Sequence, residues 1–466
     1  MVYMPPPIEE NANGGKLYED IFFVNVSSND VRLCYEISGS DTGRGFSRSQ
    51  GTPWTGVAIF EDGVASYFGA RAPPMPKPVS WDLVDEQGTQ FLDYYMKSGS
   101  HLFASLQGDT LAPLLLKIAL SDTSTSSMAV LRAILALSCL HLHRTAEALA
   151  YKASAISLLS TSIKAGSETK VAFQTSAASM LLCMFEVYHV SDTSLNWAVY
   201  LCGVKKIILD ALTQRVVYDR ECITLRDWIY FYEVLSRFSI LHWIVKPGRP
   251  RFCYERPKSE LIRIAPDESL MEDICAVGYS RQVFDCILTI TAILGPSEVP
   301  YLTPLEQRRE INEIERRLRC FKQDISRQDQ EFPNETPDKA ITIVQLYLLA
   351  ALLYLNRTAI QYSGDELQHR RLVDEALSHL TQVQVRDAPW PFFIIGSEAR
   401  TDSQRRKVLQ LSSMSQSDKQ SDNTVWIQRM VEASWNQDDL DEEQSLSYTN
   451  KISAVISASP FLPVFA

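Results

Sequence analysis

The sequence predicts an all-α protein, an array of about 12 packed antiparallel helices, with a small β-like or poorly ordered segment at its N-terminal end. Two observations lead to this prediction. Apolar residues recur with the helical period from Trp81 onward, and Gly and Pro interrupt that pattern at short intervals. The 466 residues are 45% apolar and 22% charged, which is typical of globular proteins with a sizeable core.

The first 80 residues have a different pattern from the rest of the chain. Apolar and polar side chains alternate from Val31 to Ile37, as in a half-buried strand, and Glu61-Asp-Gly63 separates two apolar runs, as in a hairpin. The stretch from Gly39 to Gln50 has no period. A small β appendage and a poorly ordered leader are both open interpretations, and a proline-rich linker from Ala72 to Pro78 follows.

From Trp81 onward, the first half of the chain shows helical periodicity. We expect Ser126 or Ser127 to cap a central helix, and Pro113 to fall near the first turn of the helix before it. Lys246-Pro-Gly-Arg-Pro250 breaks the series. The predicted helices of this half cover residues 91–96, 111–120, 128–143, 147–163, 171–188, 195–212 and 225–245.

In the second half, Thr303-Pro-Leu-Glu306 is a capping box with proline at the first helical position. The helix that it starts carries one apolar stripe on an otherwise charged surface. The stripe must be buried either on the apolar helix of residues 340–362 or on a second protein. Because a short connection follows, we expect it to pack on the helix of residues 340–362. The stripe consists of Ile311, Ile314, Leu318, Phe321 and Ile325. The other predicted helices cover residues 269–294, 365–385, 402–411 and 423–435.

Charge and cysteine usage narrow the class of protein. The formal net charge of −11 argues against a broad phosphate-binding surface, which needs clustered Lys and Arg. Nine cysteines are scattered with no pair at CxxC spacing, as in a reducing compartment. The longest uncharged apolar run, between Lys339 and Arg357, is too short and too polar to span a bilayer comfortably. We therefore expect a core helix there, and no membrane contact.

Three patterns could carry chemistry, and none of them is specific. Cys139 and His143 are four residues apart on a helix and could share a metal ion, whereas His141 and His143 point apart. The acidic run Asp438-Asp-Leu-Asp-Glu442 resembles a magnesium-binding motif of helical terpene synthases but has no second motif, so a solvated acidic loop is expected. Gly43-Arg-Gly45 begins a phosphate-loop pattern that fails at Arg48. We predict no catalytic residue, no metal site and no cofactor.

Several stretches, taken in order, resemble the regulatory (middle homology) region of fungal zinc binuclear cluster transcription factors. The last of them, Pro389-Trp-Pro-Phe-Phe-Ile-Ile-Gly-Ser-Glu-Ala399 with Arg405 and Arg406 in the next helix, is the most specific. From the residues alone, Trp197 and Gly203 are interpreted as packing positions, and Pro389 and Pro391 are expected to force extended backbone before the next helix. The earlier stretches cover residues 91–95, 131–138, 148–151, 197–203 and 228–235, with His141 after the second.

The chain departs from that family at the DNA-reading module. The family's zinc cluster needs six closely spaced cysteines beside a basic segment, whereas residues 1–80 contain one cysteine, Cys34, and 6 Lys or Arg against 9 Asp or Glu. We therefore divide the chain into three parts. Residues 1–80 are an appendage and linker without a zinc cluster, and residues 81–440 are the helical regulatory domain of fungal transcription-factor type. Residues 441–466 are a tail.

The resemblance implies a non-enzymatic regulator of a metabolic or biosynthetic gene set that is located in the nucleus, with the cytoplasm as an open alternative. Its expected partners are other transcription regulators or co-regulators, with a homodimer and a small-molecule effector as open alternatives. Specific DNA binding by this chain alone is not expected. Two rivals remain: a DNA-binding activator whose zinc module lies outside this sequence, and a helical enzyme of secondary metabolism.

Overall fold

The computed structural model describes residues 86–103, 108–165, 169–189, 196–213, 220–243, 275–294, 303–331, 339–415, 422–440, 447–459 and 461–465. These residues contain fifteen α-helices and no strand, which confirms the predicted all-α array. The predicted β-like or poorly ordered segment, with its hairpin at 61–63 and its glycine pattern at 43–48, lies outside the described residues.

The first seven helices have the following bounds: α1 Glu86–Ser98, α2 Gly108–Ala119, α3 Thr125–His141, α4 Thr145–Ala165, α5 Thr169–Tyr188, α6 Asn196–Thr213 and α7 Arg220–His242. Helix α3 is apolar on most faces and is central, as predicted: it packs against α1, α2, α4 and α5.

The remaining eight helices are α8 Cys275–Leu294, α9 Pro304–Glu331, α10 Lys339–Thr358, α11 Leu367–Leu380, α12 Pro389–Ser397, α13 Asp402–Ser415, α14 Asp422–Leu440 and α15 Tyr448–Ala458. Helix α10 is the centre of this half and packs against α8, α9, α11 and α12. The buried side chains of both halves form one continuous core.

Two helices are long and apolar enough to cross a membrane by length and composition, Lys170–Tyr188 and Lys339–Thr358. In each of them 78% of the apolar window is buried inside the protein. Both therefore serve as core helices, as the sequence predicted for the second of them.

The start of α3 corrects the predicted cap. Ser124, rather than Ser126 or Ser127, is the N-cap, and its hydroxyl accepts a hydrogen bond from the Ser127 amide at 3.2 Å. The Ser127 hydroxyl lies inside the helix and donates to the Ala119 carbonyl at 2.7 Å. The start of α2 also differs, because the helix begins at Gly108 and Pro113 therefore lies inside it rather than near its first turn.

The prediction for α9 is confirmed in both of its parts. The capping box forms, with the Thr303 amide donating to Glu306 Oε2 at 2.7 Å and the Glu306 amide donating to Thr303 Oγ1 at 3.3 Å. The apolar stripe faces the core, where Ile314, Leu318 and Ile325 are fully buried, and it packs against α8 as well as α10.

Helices α12 and α15 were not predicted. Extended backbone was expected at Pro389 and Pro391, but both lie in the first turn of α12, where a missing N–H removes no helical hydrogen bond. Within residues 441–466, where a tail was expected, α15 and residues 461–465 are largely buried and pack into the core.

Candidate functional site

The element that carries the most specific sequence pattern, residues 389–399, lies at the centre of the second half. All nine residues of α12 are buried. The Trp390 ring is stacked on the Tyr347 ring, with centroids 6.1 Å apart and planes at 8°, and it meets the edges of the Tyr354 and Phe238 rings. Four aromatic residues from α7, α10 and α12 thus hold this short helix in place.

Gly396 allows α14 to approach α12 closely. A Cβ atom at this position would lie 3.0 Å from Val431 Cγ1, closer than ordinary packing permits. The Trp435 indole N–H donates to the Gly396 carbonyl at 2.8 Å. The glycine of the motif is therefore explained by the close packing of the two helices.

Glu398 is the C-cap of α12 and the centre of a buried ion cluster. Its carboxylate lies 3.2 Å from Arg357 Nε and 3.1 Å from His369 Nε2, and the side chains of Glu398 and His369 are at most 2% exposed. Burial alone would raise the pKa of Glu398. The His369 hydrogen bond and the charges of Arg357 and Lys451 outweigh that effect and lower the pKa to about 2. The cluster therefore holds Glu398 as a carboxylate.

A second set of ion pairs joins α13, α14 and α15 to this cluster. Lys451 Nζ lies 2.9 Å from Asp438 Oδ1, and Arg405 contacts both carboxylate oxygens of Asp439 at 2.7 and 2.8 Å. The Tyr448 ring lies 4.9 Å from the Arg357 guanidinium carbon and 5.4 Å from Lys451 Nζ. Cation–π contacts of this kind link the two sets.

These contacts correct one part of the interpretation of the acidic run as a solvated loop: Asp438 and Asp439 are exposed, as expected, but they lie in a helix. Asp438 and Asp439 lie in the last turn of α14, where the helix dipole disfavours carboxylates. Lys451 and Arg405 offset that effect, and the hydrogen bond from Arg405 lowers the pKa of Asp439. The rest of the run, Asp441 and Glu442, lies outside the described residues.

The structure brings together a histidine and a serine that the sequence separates by 211 positions. His242 Nδ1 lies 2.9 Å from Ser453 Oγ, and His242 Nε2 lies 2.7 Å from Tyr354 Oη. His242 is 0% exposed, and burial lowers its pKa to about 3. Such an imidazole is a weak base at neutral pH and is closed to substrate, so the geometry fits a structural role better than nucleophilic catalysis.

The pair weighed as possible metal ligands, Cys139 and His143, is not brought together in a way that favours a site. Cys139 is 0% exposed in the core, whereas α3 ends at His141 and His143 is exposed beyond it with a φ of 59°. The His141 ring is hydrogen-bonded to the Tyr94 hydroxyl. Among the described residues, no three His, Cys, Asp or Glu side chains are placed to hold a metal ion.

The other positions singled out in the sequence also have packing roles. The Phe91 ring meets the edge of the Tyr151 ring at 6.1 Å, and the Trp228 ring meets that of Phe103 at 5.7 Å. The Trp197 indole N–H donates to the carbonyl of Leu462 at 3.1 Å. These contacts join α1 to α4, the residues after α1 to α7, and α6 to residues 461–465.

Comparison with known proteins identifies the family. Residues 90–453 match the model of the fungal specific transcription factor domain. The transcription factor iacI of Pestalotiopsis fici is 30% identical over 395 residues, which are 83% of this chain and 98% of that protein. No solved structure matches the chain. The family match begins in α1 and ends in α15, so it includes the Trp390–Glu398 element and its ion cluster. The chain therefore belongs to the fungal-specific transcription factor family and is a transcription regulator.

Proposed function

We propose that this chain regulates transcription in the nucleus through other transcription regulators or co-regulators, and that it does not read a DNA sequence by itself. The observation that carries the proposal is the extent of the shared region. The relative iacI, whose name is that of a transcription factor, is matched over 98% of its own length. Nearly the whole of such a protein thus corresponds to the region that it shares with this chain.

The charges of the chain support the part of the proposal that concerns DNA. The net charge is −11, and no two of the nine cysteines have the CxxC spacing that opens a zinc cluster. Many of the described cations are engaged with carboxylates, such as Arg405 with Asp439 and Lys451 with Asp438. A cation already paired with a carboxylate contributes little to displacing counterions from DNA phosphates.

A non-catalytic role is part of the same proposal. The polar groups that most resemble catalytic ones, His242 with Ser453 and Glu398 with His369, are buried and hydrogen-bond to one another. Their contacts tie α7, α10, α11, α12 and α15 together. We therefore assign them to the stability of a scaffold that presents its outer surface to partner proteins.

The proposal is tested by zinc analysis and DNA binding of the purified full chain. We expect less than one zinc per chain after dialysis, and DNA binding that is weak, falls with salt and shows no sequence preference. A zinc-dependent, nanomolar complex with one DNA site at physiological salt would contradict the proposal. That result would favour the rival hypothesis of a DNA-binding activator.

A further inference from the structure

Two buried polar groups near the centre of the second half have no hydrogen-bond partner among the described residues. They are the Tyr347 hydroxyl and the Trp390 indole N–H. Tyr347 is 1% exposed and Trp390 is 0% exposed, so bulk solvent does not satisfy either group. A buried donor without an acceptor is costly, and such groups in native proteins bind water or a ligand. Both donors therefore need an acceptor that the described part of the chain does not supply.

The two donors belong to side chains in direct contact. The Tyr347 and Trp390 rings are parallel within 8°, and their centroids are 6.1 Å apart. The hydroxyl could accept a hydrogen bond from the indole N–H, but the two groups do not bond to each other. At this separation, a molecule about the size of one aromatic ring reaches both side chains.

The surroundings of the pair are aromatic. The Phe284 and Phe231 rings lie 4.9 and 6.0 Å from the Tyr347 ring, measured between centroids. The Phe238 ring lies 5.7 Å from the Trp390 ring. Buried water typically makes about three hydrogen bonds, and apolar surroundings disfavour it. Aromatic walls with two donors fit a planar, largely apolar ligand with one acceptor group instead.

Asp387 disfavours an acidic ligand and connects the pair to the surface. Burial raises the pKa of Tyr347, and the negative charge of Asp387 raises it further, so this carboxylate lies near the pair. Asp387 is 4% exposed and pairs at 2.8 Å with Lys339, whose side chain is 52% exposed. A ligand carboxylate would be repelled by Asp387, whereas an uncharged carbonyl group would not. The pair therefore lies beneath an ion pair that reaches solvent.

We propose that Tyr347 and Trp390 bind a small, planar, uncharged molecule whose carbonyl group accepts a hydrogen bond from both side chains. The aromatic neighbours of the pair come from α7, α8, α10 and α12, so the ligand would join these four helices. The small-molecule effector that the sequence leaves open thereby has a place and a chemical class. This inference goes beyond the proposed function and does not depend on it.

The first test is a calorimetric titration of the wild-type full chain with acetophenone, a planar ring with one carbonyl acceptor. The matched control ligand is α-methylstyrene, which has the same shape with a CH₂ group in place of the carbonyl oxygen. We expect saturable binding of acetophenone and binding about tenfold weaker for α-methylstyrene, because the two donors contribute only when an acceptor is present. No binding of acetophenone, or equal binding of the two compounds, would overturn the proposal.

The second test locates the ligand by substitution. Tyr347→Phe removes only the hydroxyl and should weaken acetophenone binding about tenfold. Tyr95→Phe is the matched control and should bind like the wild type, because the Tyr95 hydroxyl is also buried but donates to the Ala112 carbonyl at 3.3 Å.

Thermal unfolding without ligand distinguishes the proposal from a resident water molecule. Tyr347→Phe should keep or raise the midpoint, because its hydroxyl has no hydrogen bond to lose, whereas Tyr95→Phe should lower the midpoint. A Tyr347→Phe variant that binds acetophenone like the wild type would overturn the assignment. A loss of stability as large as that of Tyr95→Phe would also overturn it and favour bound water.

Discussion

The substitution Glu398→Gln removes one charge from the buried ion cluster with little change in shape. In the folded chain the pKa of Glu398 is lowered from 4.5 to about 2, because the His369 hydrogen bond and the charges of Arg357 and Lys451 outweigh the effect of burial. That difference corresponds to about 3 kcal/mol of folding free energy. The loss of the buried counter-ion of Arg357 is already part of this figure, because the charge of Arg357 is one of the causes of the lowered pKa.

The sign of the pH dependence follows from the direction of the pKa change. A carboxylate with a lowered folded pKa stabilises the fold above its unfolded pKa, and this contribution is lost as pH falls through the folded pKa. The free energies of unfolding of wild type and Glu398→Gln should therefore differ by about 3 kcal/mol at pH 7. The difference should shrink as the pH falls from 4.5 toward 2.

Urea unfolding followed by circular dichroism at several pH values measures this difference directly. Glu313→Gln is the matched control, because Glu313 is an exposed carboxylate that pairs with Arg316 on α9. We expect this control to be close to wild type in stability. A Glu398→Gln variant as stable as wild type at pH 7, or a loss that is the same at every pH, would refute the role assigned to the cluster.

Three further predictions concern the packing of the array. Leu318→Ala should cost about 2–4 kcal/mol, because Leu318 is 0% exposed between α9 and the core; a wild-type denaturation midpoint would argue against that packing. The free energy of unfolding of the wild type should fall as pH decreases from 6.5 toward 3, because the buried His242 is neutral in the folded chain and takes up a proton on unfolding. The substitution His242→Gln should weaken this dependence of stability on pH. Gly396→Ala should destabilise by about 1–3 kcal/mol through overpacking against Val431, and thermal unfolding should show partial recovery when Val431→Ala is added.

Much of the fold could be predicted because single helices obey local rules. The stripe from Ile311 to Ile325 repeats at helical spacing, and the Thr303–Glu306 capping box marks its start, so both were predicted correctly. Helix α12 was missed because Pro389 and Pro391 usually indicate extended backbone. In this position tertiary packing of Trp390 and its neighbours favours the helix.

The buried polar clusters could not be predicted from local patterns. Ser453 lies 211 positions from His242, and His369 lies 29 positions from Glu398. No spacing rule links residues on different helices, and each residue alone has the appearance of an ordinary polar position. Glu398, in the most specific motif, is the one signal of these clusters in the sequence. Its partners Arg357 and His369 can be identified only from the folded chain.

The most direct test of the central claim is chromatin immunoprecipitation of the tagged chain from fungal cells. A regulator that works through partner proteins should occupy a defined set of promoters. That occupancy should disappear when the DNA-binding partners recovered with the chain are deleted. An absence of the chain from promoters, or occupancy that is unchanged without those partners, would contradict the account.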